Sequence, residues 1–155
     1  MEYTKTQINT VSRLLGQMTS DQLKTLIDQT VADIDSVEKY KQVFSTDATA
    51  IQWFTQFCDS YGLTPERVIA RNGKPYGLYY VKEFGQTGYD SLNKKYTPFF
   101  QLWIKDGHQN ADTIQPHIEL GASFEDLWWH GANLAKLENM MHKICRMRGL
   151  TKKAA

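Results

Sequence analysis

His142 and Cys145 stand three residues apart in an apolar helical pattern, with Glu138 one turn earlier. That spacing puts a carboxylate, an imidazole and a thiol along one helix, and these are donor types that hold zinc. The remaining ligand would have to come from His108 or His117, and no Cys-x-x-Cys or His-Glu-x-x-His run supports a site. No metal and no other cofactor is expected. Cys58 would act as a nucleophile only as its thiolate, and an apolar helical setting keeps a thiol protonated. Glu125 and Asp126 read as charges at a helix N-terminus rather than as a glycosidase pair. Gly85 and Gly88 lack the spacing of a phosphate-cradling loop. His130 falls on the apolar stripe of the last helix, the place of a core or interface histidine. No catalytic residue is assigned, and a non-enzymatic protein is expected.

The elements that would position these groups are mainly helical. Ile8, Val11, Leu14 and Leu15 recur at helical spacing over about 4–18. Thr19 with Gln22 has the form of a capping box, which starts a long helix reaching about Phe44 through Leu23, Leu26, Ile27, Ile34 and Val37. Asp47 is placed to cap a third helix that carries Ile51, Trp53, Phe54, Phe57, Cys58 and Tyr61, and Gly62 to end it. Thr64 and Pro65 open a fourth, stopped by Asn72 and Gly73. Leu78 to Lys82 is aromatic and β-branched and reads as a short strand. Residues 96–104 fit either a second strand or a helix, and 106–115 a surface loop. Ser123 with Asp126 caps a last helix that runs to about Met147 and is closed by Gly149. The expected fold is a single mainly α domain of five to six helices with a small β-hairpin in the middle. Its parts are an N-terminal helical hairpin over 1–46, a globular part over 47–150 and a loose tail over 151–155.

The run Phe57-Cys58-Asp59-Ser60-Tyr61-Gly62-Leu63-Thr64-Pro65-Glu66-Arg67-Val68 has a small side chain where two helices would cross, glycine at the turn, and apolar residues on both sides. Residues 51–72 thereby resemble the helix-turn-helix of bacterial and phage transcription regulators; an ordinary helical corner is the plain alternative. The resemblance implies that Thr64 and Arg67 begin a DNA-reading helix and that Arg71 lies near its end. Lys74, Lys82, Lys94 and Lys95 in the following hairpin would then neutralise phosphates. The order of parts, and the run Leu120-Gly121-Ala122-Ser123-Phe124-Glu125-Asp126-Leu127, are also similar to nucleoid proteins of the H-NS and MvaT kind. Their Gly-Arg DNA-reading loop is missing here, which leaves pairing with such a host protein as what that likeness implies.

Charge is distributed unevenly in this 155-residue chain. Residues 1–60 hold five basic and eight acidic side chains, 61–110 seven and four, and 111–155 six and five. The middle third is therefore the expected place for a polyanion. With only Cys58 and Cys145, no signal-peptide pattern and no apolar run of membrane-spanning length, a cytoplasmic protein without disulfides is expected. The unusual length of the second helix suggests a homodimer through the N-terminal helices. Trp128 and Trp129 point to different sides of one helix, so one stripe does not bury both; with Met140 they form a candidate partner-binding surface, core burial being the alternative. The sequence thus suggests a small DNA-binding protein that affects transcription or nucleoid organisation. The alternative is a protein-binding inhibitor or adaptor of the phage or mobile-element type.

Overall fold

The computed structural model describes residues 2–85, 89–90, 95–121 and 131–154, with the backbone alone at 89–90 and 95–96. Contacts divide the chain into Met1–Ser36 and Val37–Ala155. The first unit holds α1 (Lys5–Gly16) and most of α2 (Ser20–Val43). Each starts on a reciprocal cap: Thr4 with Gln7, and Thr19 with Gln22, where the Thr hydroxyl accepts from the Gln amide and the Gln side chain accepts from the Thr amide. Neither α1 nor the stretch of α2 before Ser36 buries a side chain.

In the second unit α3 (Asp47–Asp59) is followed by β1 (Pro65–Ile69), β2 (Pro75–Val81), the two-residue strands β3 (Tyr89–Asp90) and β4 (Lys95–Tyr96), β5 (Phe99–Trp103), β6 (His117–Gly121) and α4 (Leu134–Met147). Four strands form an antiparallel sheet in the order β1-β2-β5-β6. Register puts Tyr79, Leu102 and Ile118 in one row, with Phe100 and Leu120 in the next row on the same face. This face meets Phe54, Phe57 and Cys58 of α3 and Leu137, Met141 and Ile144 of α4 to make the core. The last two turns of α2 contribute Tyr40 and Phe44, whose rings lie 4.6 Å apart, with Trp53 5.4 Å beyond.

Two expectations are corrected. The described residues form four α-helices and a four-stranded sheet, not five to six helices with a small hairpin. Residues 64–72, expected as a helix, enter β1 instead. The reason lies in the turn that follows: Asn72-Gly73 is a strong hairpin signal because glycine accepts the left-handed backbone, here φ 79°. Ala70 and Lys74 close that turn, the Ala70 amide donating to the Lys74 carbonyl at 2.9 Å. Glu66 and Arg67 then pair with Tyr80 and Tyr79 of β2 and Ile69 with Pro75, the register shifting at Val68, and β-branched residues suit this pleated surface. The open choice at 96–104 resolves to strand β5, and β6 lies between the loop expected over 106–115 and the helix start expected at Ser123, where no element had been assigned. Gly62 does end α3, with φ 70°. Its N-cap is Thr46, bonded to Thr49, while the Asp47 carboxylate accepts from the amides of Lys105 and Asp106 at 3.0 and 2.9 Å. The expected helix start at Ser123 and Asp126 lies outside the described residues; α4 is capped by Asn133. No helix among the described residues is long and apolar enough to cross a membrane.

The loop between β5 and β6 folds back onto β2 at Gly107. A Cβ there would stand 2.5 Å from the Pro75 carbonyl oxygen and 3.0 Å from Arg67 Nη2, at φ +74°. Both the contact and the dihedral exclude a side chain. Gly107→Ala is expected to lower unfolding stability by about 2–4 kcal/mol, read as a fall in urea midpoint at constant slope. An unchanged midpoint would show that this loop is not held as described.

Candidate functional site

The sequence singled out a row of cations, and the fold disperses it. Arg67 leaves β1 on the core-facing side and is only 21% exposed. Its Nε donates to the Tyr76 carbonyl at 2.8 Å, its Nη2 donates to the carbonyl and carboxylate of Asp106 at 2.7 and 3.0 Å, and its guanidinium carbon lies 5.9 Å from the Tyr79 ring centre. A guanidinium with these partners clamps the β1-β2 hairpin to the loop after β5, its Nε and Nη2 donors committed there. Lys82 sits 3.8 Å from Glu66, which also accepts from the Tyr80 hydroxyl. Thr64 donates its amide to Glu83 where β1 begins. Arg71 and Lys74 are exposed at the hairpin turn and form no ion pair among the described residues. From Pro75 to Val81 the strand rises about 20 Å, so this pair and Lys82 occupy opposite ends of the hairpin. Lys95 belongs to β4, and Lys94, Trp128 and Trp129 lie outside the described residues. Met140 is half-buried against the core, which takes part of its side chain out of a partner surface.

The zinc-like donors do not converge either. Glu138 accepts the indole N–H of Trp53 at 2.9 Å, and the Tyr61 hydroxyl and Nδ1 of His142 share a hydrogen bond of 2.5 Å. Both bonds tie α4 to α3. Cys145 is fully buried, and burial pushes its thiol up to about 12, while the Cys58 thiol is raised by burial and by Cys145 beside it. Neither ionises in the neutral range, and neither forms a disulfide. His108 and His117 flank Trp103 on the outward face of the sheet, His117 stacked at 10° and 6.4 Å. Among the described residues no group of three His, Cys, Asp or Glu side chains is placed to hold a metal ion.

What the fold leaves open is apolar. On α1 Ile8, Val11 and Leu15 share one side, and on α2 Leu26, Ile27, Val31 and Ile34 do so, all at least a third exposed. The helical period made these stripes legible in the sequence; how much of them stays exposed was not. A second surface was missed. The face of α4 carrying Lys136, Lys143 and Arg146 is solvent-facing and basic. Its signal was present, since residues 131–154 hold six cations against Glu138, but counting from residue 111 diluted it with four further acids.

Compared with protein-family models, curated proteins and solved structures, the chain matches none. Its chemistry is therefore argued from geometry, and the Tyr61–His142 bond yields a pH dependence. Burial, with Lys152 and Arg146 nearby and against Glu138, lowers the imidazole below its ordinary value of 6.5. Below about pH 6.5 the unfolded chain takes up a proton that the folded chain refuses. The stability linked to this group is thus complete above that value and is lost as pH falls from it toward the depressed folded value. His142→Gln is expected to melt lower at pH 7.5 and to lose less melting temperature than the parent between pH 7.5 and 5.5. Equal losses in the two proteins would remove the imidazole from the explanation.

Proposed function

We propose that the chain is a non-enzymatic cytoplasmic protein that works by assembling with a second copy of itself through Met1–Ser36. One observation carries this reading: a unit of 36 residues holds nine large apolar side chains that are each at least 36% exposed, and among its described residues only Ser36 is buried. Units below about 40 residues are seldom stable without oligomerisation, and isolated helices shorter than about 12–15 residues are marginal in water. These stripes therefore need a cover. Fully covered, they amount to an area on the order of 800 Å², about what one partner brings to an interface of ordinary size.

Charge favours a second copy as that cover. α1 carries Lys5 and Arg13 and no acid, while α2 up to Ser36 carries Asp21, Asp28, Asp33 and Asp35 against Lys24. A basic helix of one copy laid along the acidic helix of another brings apolar stripes together and opposite charges to their rims, and the operation repeats by symmetry. The alternative cover is a different protein, which makes the chain an adaptor or inhibitor. DNA binding through residues 64–95 has less support, because Arg67 and Lys82 are committed within the fold.

Sedimentation velocity is the direct test. The parent chain is expected to run as a dimer or larger species at micromolar concentration, and Ile27→Asp with Ile34→Asp to run as a monomer with an intact second unit by near-ultraviolet circular dichroism. A parent chain that stays monomeric at about 100 µM would exclude self-assembly at any useful affinity and leave the different-partner reading.

A further inference from the structure

α4 spends one side on the core and offers another to solvent. Leu134, Leu137, Met141, Ile144 and Cys145 are all buried. On the opposite side Lys136, Lys143 and Arg146 are exposed, and at 3.6 residues per turn they fall within about 80° of one another along about 15 Å of axis. Glu138, the single acid between residues 131 and 154, points away from them to the Trp53 indole of α3. Arg148 is also turned aside, donating to the Pro98 carbonyl and lying 4.1 Å from the Phe84 ring centre.

The chain after α4 adds a fourth cation in a fixed place. It reverses at Gly149, φ 75°, where the Leu150 amide donates to the Cys145 carbonyl at 2.9 Å and the Lys153 amide to the Ser60 carbonyl at 2.7 Å. Lys152 lies between those two anchors, exposed, and acts with Arg146 on His142. Lys136, Arg146 and Lys152 form no ion pair among the described residues. Lys153 is drawn to Asp59 at 3.9 Å.

The geometry points to a binding surface for the phosphate backbone of double-stranded nucleic acid, carried by Lys136, Arg146 and Lys152. Three features select that ligand. The cations diverge along a straight helix instead of converging on a point, which suits a ligand whose charge repeats and does not suit a single small anion. The apolar side of the helix is used up in the core, with Met147 the exposed large apolar residue, so little is available to enter a lipid surface. Donors aimed at phosphate fix position without reading bases, so binding is independent of sequence. None of these residues belongs to the self-assembly unit, and the two readings stand or fall separately.

Fluorescence anisotropy with a labelled mixed-sequence duplex of about 20 base pairs, titrated from about 50 to 200 mM salt, tests the assignment. Three phosphate contacts give a slope of roughly −2.7 in log K against log salt. Lys136→Gln with Arg146→Gln and Lys152→Gln is expected to weaken binding at least tenfold at the lowest salt and to flatten the slope toward zero. Arg71→Gln with Lys74→Gln, a loss of two charges at the hairpin turn, leaves both unchanged. Arg146→Glu alone provides a second variant in case the triple one folds poorly, and is expected to weaken binding by itself. No binding at the lowest salt by micromolar protein would overturn the proposal. So would a triple variant that binds like the parent, or loss of binding in the hairpin variant instead. Tighter binding to polyglutamate, or to phosphatidylserine vesicles, than to the duplex would reassign the surface to an acidic protein or a membrane and equally overturn it.

Discussion

The ring of Phe100 organises the second unit. It is 1% exposed and is met edge-on by Phe54 and Phe57 of α3 at 6.0 and 5.6 Å and by Phe84 at 5.1 Å. Each edge-to-face pair adds about 0.5–1.5 kcal/mol beyond the area it buries. More important is where the rings come from. α3, the turn after β2, and β5 are far apart in sequence, so satisfying one ring fixes the helix against the sheet and β5 between β2 and β6. α4 closes the same volume with Leu137, Met141 and Ile144. Close-packed interiors tolerate little displacement, and this centre is what allows the polar ties around it to keep their geometry.

Those ties consume most of the chemistry that the sequence offered. Glu138 and His142 bind Trp53 and Tyr61 across the α3-α4 seam. Asp47 satisfies two amides of the loop after β5, and Arg67 satisfies that loop's carbonyl and carboxylate. Both thiols are buried and protonated. A group tied into the fold in this way has fewer donors and acceptors to offer a substrate. The helical stripes of the first unit and the cations Lys136, Arg146 and Lys152 carry no such ties among the described residues.

How much of this was legible follows the range of each cause. The Thr19-Gln22 box is complete within four residues and was read directly, whereas Asn133, whose side chain accepts from the Lys136 amide at the start of α4, was not singled out. β1 was misread because Thr64-Pro65 is a good helix start and Asn72-Gly73 serves both as a helix stop and as a hairpin turn. Only the pairing of Arg67 with Tyr79 across the hairpin decides between them. β6 was missed because Ile118 and Leu120 alternate over just five residues, and their partners Leu102 and Phe100 lie beyond a long polar loop. The same reason governs the site. Arg67 looked available as a cation because Asp106, which occupies it, is 39 residues away. The stripes of α1 and α2 needed nothing but a helical period, and they were visible at once.

The two open surfaces have complementary physical demands. Three cations on α4 and the segment after it would give a polyanion only a modest grip, one that falls steeply with salt. Self-assembly as proposed would change that arithmetic without adding a contact: with one copy bound, its partner would reach the same duplex at the effective concentration set by the connection between them, and affinity would rise by orders of magnitude where geometry lets both engage. The first unit is acidic, with five acids against three bases over residues 1–36. Its net negative charge opposes phosphate, so under this reading it would serve protein contact and leave the polyanion to the cations of the second unit. Segregated charge of this kind gives one short chain opposite electrostatics in its two units, which a uniform mixture of the same residues would not.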